Sequence, residues 1–336
     1  MNDLFAQIRK GIDIPSVTGE EGDFARFVAR ILEERRYEVE LQPVEGDRMN
    51  VYARAARVPR VVLCTHLDTV PPFIASSEDD ETIFGRGSCD AKGILFSMIE
   101  AADRLRARDI QDVGMLFTVG EELDSIGASA ACALAPGSEY VIVGEPTENR
   151  LASGHKGTFK FRLTVAGRAA HSAYPELGIS AIDRLLDVLD VIRRAKWGYS
   201  DRLGAATVNI GTIGGGVASN VISPAAEAVV FVRVVGRASE ARAVLDGILA
   251  GREGIGCEMV AVSDAVHCET PEGYEHAPVA FGTDISSLRG FGKPLLVGPG
   301  SIHVAHTAGE RIAKREIVMA VELYEGLVMR LLEQRA

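Results

Sequence analysis

The sequence predicts an α/β chain: a mostly parallel sheet covered by helices, with a smaller α+β segment inserted into it. Three observations carry this. Short apolar, β-branched runs such as Val61-Val62-Leu63-Cys64-Thr65 alternate with helical periodicities up to Glu145 and again after Pro271, and that alternation implies parallel pairing. From Gly157 the strands instead alternate apolar and charged, as in Phe159-Lys160-Phe161-Arg162-Leu163-Thr164-Val165, which marks a sheet with one wet face. Elements there follow the order β-α-β-β-α-β, a split βαβ plan. A chain of 336 residues is long enough for two domains. The expected division is a parent domain at 1–157 plus 269–336 and an inserted domain at 158–268.

Taken in order, Leu4 and Ile8, then Phe24, Phe27, Val28, Ile31 and Leu32, fall at helical spacing over 3–10 and 21–36. Thr18 or Ser16 is offered as the N-cap of the second helix. Strands are expected at Tyr37–Leu41, Asn50–Ala55 and Val61–Thr65. Residues 71–82, with two prolines and a Ser-Ser-Glu-Asp-Asp-Glu run, read as a solvated loop. Gly85 to Asp90 is a turn into a helix from Lys92 to about Arg106, which buries Leu95, Met98, Ile99, Ala102 and Leu105. Strands at Gly114–Val119 and Tyr140–Val143 flank a helix near Gly127–Leu134. In the insertion, helices are expected at Gly178–Arg194, burying Ile182, Leu185, Leu186, Leu189 and Ile192, and at Ser239–Leu249. Its strands are Phe159–Val165, Ala206–Ile213, Ala226–Val235 and Cys257–Val262, a ferredoxin-like set. A helix at Ile285–Leu288, a strand at Pro294–Val297 and a long helix from Glu310 complete the chain.

Composition narrows the function. A net charge of −11 argues against binding nucleic acid or an anionic membrane. The first ten residues hold no apolar signal-like stretch and no run nears the length of a membrane span. Cys64, Cys89, Cys132, Cys257 and Cys268 are odd in number and contain no Cys-x-x-Cys pair, which suits reduced thiols in a cytoplasm. Neither Gly-x-Ser-x-Gly nor Gly-x-Gly-x-x-Gly occurs, so a serine nucleophile and a dinucleotide fingerprint are unsupported.

Four predicted strands end in groups able to bind a metal. One leads to His66 and Asp68, one to Gly120-Glu121-Glu122, one to Glu145-Pro146-Thr147 and one, through Gly298-Pro299-Gly300, towards His306; Asp90 joins them from its turn. Ligands of open α/β sheets sit beyond the carboxyl ends of strands. Carboxylates crowded at one sheet edge repel unless a cation offsets them. His66, His306, Asp90, Glu122 and Glu145 supply two imidazoles and three carboxylates, a set suited to zinc or a similar divalent ion. If Asp90 bridges, two ions each receive one His, one Glu and the shared Asp, a recurring hydrolytic arrangement. Glu121 then lies beside a ligand without being one, the natural general base for an attacking water. Asp68, two residues past His66, is placed to hold its ring N–H.

These motifs, His66-Leu67-Asp68-Thr69-Val70-Pro71, Gly85-Arg86-Gly87-Ser88-Cys89-Asp90-Ala91-Lys92-Gly93, Glu121-Glu122, Glu145-Pro146-Thr147 and Ala305-His306-Thr307, give the chain a whole-length resemblance to a metallohydrolase family. It is that of acetylornithine deacetylase, succinyl-diaminopimelate desuccinylase, aminoacylase and related dipeptidases and carboxypeptidases. The resemblance implies a two-metal, usually zinc, site with cobalt as a substitute. It implies Asp90 as the bridge, a cis Asp90–Ala91 peptide, Glu121 as base and Asp68 behind His66. It also implies that the insertion is a lid through which a homodimer forms. In dimeric relatives the histidine placed like His171, in the Gly167 to Ser172 turn, reaches the partner's active site, and whether it acts in cis or in trans here stays open; in relatives with free-carboxylate substrates, residues placed like Asn220 and Arg233 contact the substrate. The expected reaction is hydrolysis of an N-acyl amino acid; a dipeptidase or carboxypeptidase acting on short peptides is the alternative, and a non-catalytic metal-binding relative the remote one. Two departures stand out: the loop from Pro72 to Ile83 is short, and Ala308 occupies a place where the family often has Pro.

Overall fold

A computed structural model describes residues 2–55, 58–135 and 137–333; the terminal residues of the expected parent domain, 1 and 334–336, lie outside them. The chain forms two units, Met1–Ser153 with His267–Ala277 and Thr283–Ala336, and Gly154–Val266 with Pro278–Gly282.

The first unit is built on a six-stranded sheet in the order Glu38–Glu45, Arg48–Arg54, Val113–Thr118, Val61–His66, Tyr140–Val143, Lys293–Leu296. The last four strands are parallel neighbours; the first two join by antiparallel pairing. Every residue of Val61–His66 and of Val113–Thr118 is buried, as expected for strands covered on both faces. The helix Lys92–Ala107 packs on both strands and on the helices Asn2–Ile12 and Lys314–Glu333, and Ile8, Phe24, Leu63, Phe96, Phe117 and Tyr324 are buried in this core. The edge strand Glu38–Glu45 is guarded by three glutamates, a proline and a bulge between Pro43 and Glu45, devices that discourage edge pairing.

The second unit is an antiparallel sheet in the order Thr207–Gly215, Ala225–Val234, Gly157–Ala166, Ile255–Ser263. Alternation along Gly157–Ala166 puts Phe159, Phe161, Leu163 and Val165 on one buried face. The helices Ala181–Arg194 and Ala238–Leu249 cover that face. The fold class is thus α/β with an α+β insertion, and no helix among the described residues is long and apolar enough to cross a membrane.

Several local expectations are corrected. The helix expected from Gly178 begins at Ala181, capped by Ser180, whose Oγ accepts the Asp183 N–H. Its buried stripe is Ala181, Leu185, Val188, Leu189 and Ile192, while Leu186 is 50% exposed; the stripe runs at i, i+4, i+7, i+8, and Leu186 falls outside it. Residues 71–82 are not all loop: Ser77–Glu78 and Thr82–Phe84 pair, and Arg311–Ala313 adds to them. The Asp79 carboxylate tightens that turn by accepting the Glu81 and Thr82 N–H groups. The last helix starts at Lys314 rather than Glu310, and Asp284–Ser286 is a single 3-10 turn. Neither Thr18 nor Ser16 caps a helix: Glu21 holds that position, Thr18 donates to Asp68, and Ser16 donates to the Leu67 carbonyl. Leu151–His155 forms a further strand, fully buried. The Asp90–Ala91 and Pro71–Pro72 peptides are cis.

Candidate metal centre

The parallel register brings four strand ends together: His66 faces Thr118, Cys64 faces Val143, and Leu296 faces Val143. The polar residues that follow each strand therefore emerge at one edge of the sheet. Gly120 makes the turn after Val113–Thr118 with φ +80, a backbone conformation that favours glycine. His306 adopts a left-handed backbone, φ 64, a conformation uncommon outside glycine and enriched in His, Asn and Asp.

Asp90 is the hub. Its Oδ1 lies 3.0 Å from His66 Nε2 and its Oδ2 lies 3.3 Å from His306 Nε2. His306 Nε2 also lies 2.9 Å from Glu122 Oε1. The donors form two overlapping groups, His66, Asp90 and Glu122, and His66, Glu121 and Glu145, with donor atoms in each within 4.8 Å of one another. All five expected ligands thus converge, and Glu121 converges with them. His66, Asp90 and Glu145 are buried, whereas the His306 side chain is 46% exposed.

The Asp68 carboxylate, expected behind the His66 ring, is spent chiefly on the Glu121–Glu122 loop. Its Oδ1 accepts the Glu121 N–H at 3.0 Å; its Oδ2 accepts the Glu122 N–H at 3.2 Å and the Thr18 hydroxyl at 2.8 Å. His66 Nδ1 lies 2.9 Å from the Asp68 backbone carbonyl and 3.5 Å from its Oδ1. A proton on Nδ1 donated to that carbonyl leaves Nε2, on the Asp90 side, as the nitrogen a metal ion would take in place of a proton.

The electrostatics fit a cation. Burial first, then the neighbouring carboxylates, push Glu121 and Glu145 well above the usual range, although His66 opposes the rise. Burial also opposes ionisation of Asp90, but hydrogen bonds from His306 and His66 outweigh it and hold Asp90 low. The Asp90 and Glu122 carboxylates raise His306 to about 10. Burial would lower His66, yet Asp68 and Asp90 raise it. Left to themselves these donors gather protons. Divalent ions meet the same demand by displacing protons from the imidazoles, so the donor set suits a two-metal centre.

The second unit holds the remaining residues. His171 is exposed; its Nδ1 accepts the Ala173 N–H at 3.1 Å, which leaves the proton of a neutral ring on Nε2. Asn220 is exposed on the adjoining segment: His171 bridges to Val221, and the Ser172 N–H donates to the Asn220 carbonyl. Arg233 is partly buried over the Phe231 ring at 4.3 Å, and among the described residues no carboxylate pairs with it. Burial lowers its affinity for the proton. His155 is buried with an unpartnered Nε2, and its Nδ1 lies 3.0 Å from the Lys156 carbonyl.

Sequence reasoning missed Asp284, buried in the Asp284–Ser286 turn, whose Oδ2 accepts the Thr118 hydroxyl at 2.7 Å. Burial raises it to about 6. A buried acid in a Gly-Thr-Asp turn carries no local signal of its partner.

Comparison with known proteins adds three findings. The chain matches the family described as peptidase family M20/M25/M40 over residues 62–330. It is 36% identical to a probable carboxypeptidase of Emericella nidulans, over 96% of this chain and 88% of that protein. Its fold is similar to those of aminopeptidase PepT from Bacillus cereus, with TM-score 0.81, 18% identity and 98% of each chain covered, and of YXEP from Bacillus subtilis, a dinuclear metal-binding peptidase, with TM-score 0.75, 17% identity and coverage of 99% and 98%.

Proposed function

Because the chain belongs to peptidase family M20/M25/M40 and is therefore a hydrolase, we propose that it cleaves the amide bond joining an acyl or aminoacyl group to an amino acid with a free carboxylate. One observation carries the reading: each oxygen of the Asp90 carboxylate faces a different imidazole, amid further carboxylates. His66, His306, Asp90, Glu122 and Glu145 would hold two divalent ions, zinc or cobalt. Such ions supply Lewis-acid polarisation of the amide carbonyl and lower the pKa of the attacking water.

Glu121 takes a proton from that water and returns it to the leaving nitrogen. Its burial favours holding the proton between those events. His171, with Nε2–H available, donates to the oxyanion. Asn220 and the carboxylate-free Arg233 receive the substrate carboxylate. The lid unit presents an uncharged, exposed outer strand at Thr207–Gly215, and we assign the homodimer contact to that edge. The five free cysteines support a cytoplasmic setting.

The similarity to a probable carboxypeptidase supports short peptides, and the motifs shared with deacylases support N-acetyl or N-succinyl amino acids equally. A panel of dipeptides, tripeptides and N-acyl amino acids, each with a free and an amidated carboxyl end and with added zinc or cobalt, separates them. Hydrolysis is expected only with the free carboxylate. Preference for N-acyl amino acids over peptides would establish the deacylase reading, and equal turnover of amidated substrates would remove Arg233 from recognition.

A further inference from the structure

Two segments from distant parts of the chain meet on one buried carboxylate that the hydrolytic scheme does not use. Glu310 is 2% exposed. Its Oε1 accepts three backbone N–H groups from one turn, Gly87 at 2.9 Å, Cys89 at 3.2 Å and Asp90 at 3.1 Å. Its other oxygen, Oε2, accepts from Arg86 Nη1. The Glu310 carbonyl accepts the Gly85 N–H at 3.1 Å. Arg86 in turn donates to the carbonyls of Pro72 and Thr307, each at 3.3 Å.

The arrangement is a concave nest of amides, of the kind that binds anions, filled from within by the protein's own side chain. The turn it fills ends at Asp90. The loop that supplies it begins at His306. An ion pair between Arg86 and Glu310 is by itself weak evidence for stability, since apolar side chains of similar size serve as well in many cores. An apolar side chain cannot accept three converging N–H groups, and without an acceptor those donors are orphaned in the interior.

We propose that Glu310 is a positioning residue for the metal centre: it sets the backbone of Asp90 and ties it to the His306 loop, so that the Asp90 oxygens face both imidazoles before any ion arrives. This rests on the reading of Asp90 and His306 as ligands. It predicts that losing the carboxylate loosens metal binding by more than any loss of stability explains.

The test compares Glu310→Gln with Arg86→Met in the full chain. Zinc affinity is measured by competition with a chromogenic chelator, and thermal midpoints on metal-free protein. Glu310→Gln keeps the shape but loses the charge; its zinc affinity should fall about 10–100-fold, the usual effect of removing a group that orients a ligand. Arg86→Met leaves the carboxylate on its three amides. Its midpoint should drop at least as far, with zinc affinity within about 3-fold of wild type. Wild-type zinc affinity in Glu310→Gln overturns the proposal, as does a loss of affinity in both variants that merely follows their loss of stability. Should Glu310→Gln not fold, Glu310→Asp shortens the reach and keeps the charge: weakened zinc binding supports the proposal and unchanged binding refutes it. A wild-type protein that binds fewer than two ions removes the metal-site reading and this proposal together, whereas two ions on wild type with no change in Glu310→Gln removes this one alone.

Discussion

Replacing Asp68 with Asn tests which job its carboxylate performs. In the structure one oxygen accepts the Glu121 N–H and the other accepts the Glu122 N–H and the Thr18 hydroxyl. Asn offers one oxygen and one NH₂. Thr18 can reverse its hydroxyl and accept from the NH₂, but one of the two amides must then face a donor. That loses a hydrogen bond to a charged acceptor and leaves a part-buried N–H facing a donor, together about 3 kcal/mol at most. For a unit of this size the loss corresponds to a midpoint lower by about 6–12 °C. The unpaired amide lies on the loop carrying Glu121 and Glu122, so zinc affinity should fall about 10–100-fold as well. The His66 tautomer should survive, because its Nδ1 proton rests on the Asp68 backbone carbonyl. Differential scanning fluorimetry without metal and chelator competition with it measure the two effects. An Asn variant with wild-type midpoint and wild-type zinc affinity would refute the view of Asp68 as a clamp on the loop.

Other outcomes follow from the same geometry. Purified protein should bind about two zinc ions per chain, and chelation should abolish activity that zinc or cobalt restores; full activity at one ion would defeat the bridging role of Asp90. Glu121→Gln should keep both ions and lose ~10²–10⁴-fold in kcat, while Glu122→Gln should weaken one ion. The reverse pattern would make Glu121, already grouped with His66 and Glu145, the ligand. Asp284 is raised to about 6 by burial, so its contribution to stability is fully present below the ordinary carboxylate pKa and is lost as pH rises through about 6. In Asp284→Asn that loss is absent, and its midpoint should gain on wild type between pH 4 and pH 7, with a limit of about 3 kcal/mol; a pH-independent difference would contradict the shift. Finally, His171→Ala and Glu121→Ala homodimers should each be nearly inactive, and mixing them by dissociation and reassociation should restore activity if His171 serves its partner. Mixed dimers that stay inactive would assign it to its own chain or to structure.

What can be read from the sequence divides along physical lines. A strand that stops and hands over to a His, a Glu pair or a Glu-Pro is visible locally, because apolar run and polar donor are neighbours in sequence. The four strand ends and the donors beyond them are legible for that reason. The insertion is legible because its period changes from buried runs to alternation. Partners across the fold are not. Thr18 and Ser16 have the side chains of caps, yet their hydroxyls are used fifty residues away, on Asp68 and Leu67. Glu310 precedes a helical pattern and reads as its first turn, but its carboxylate belongs to the Asp90 turn. Leu186 reads as core beside Leu185, and only the phase of the folded helix turns it outward. In each case the side-chain type was informative and the address was not.

The order in which this chain leaves the ribosome has consequences for its own safety. Tyr140–Val143 is an internal strand only because Lys293–Leu296 pairs with it, and the whole inserted unit is synthesised between the two. For that interval the nascent sheet carries an open, buried-type edge, the surface that invites pairing with other chains. The inserted unit, with its own core of Phe159, Phe161 and Leu185, can condense during the wait and shorten the effective loop that must close. His306 and Glu310 emerge later still. A chain halted before these residues therefore lacks an imidazole from the donor set and the carboxylate that shapes the Asp90 turn, and the donor set is complete only once both have been made.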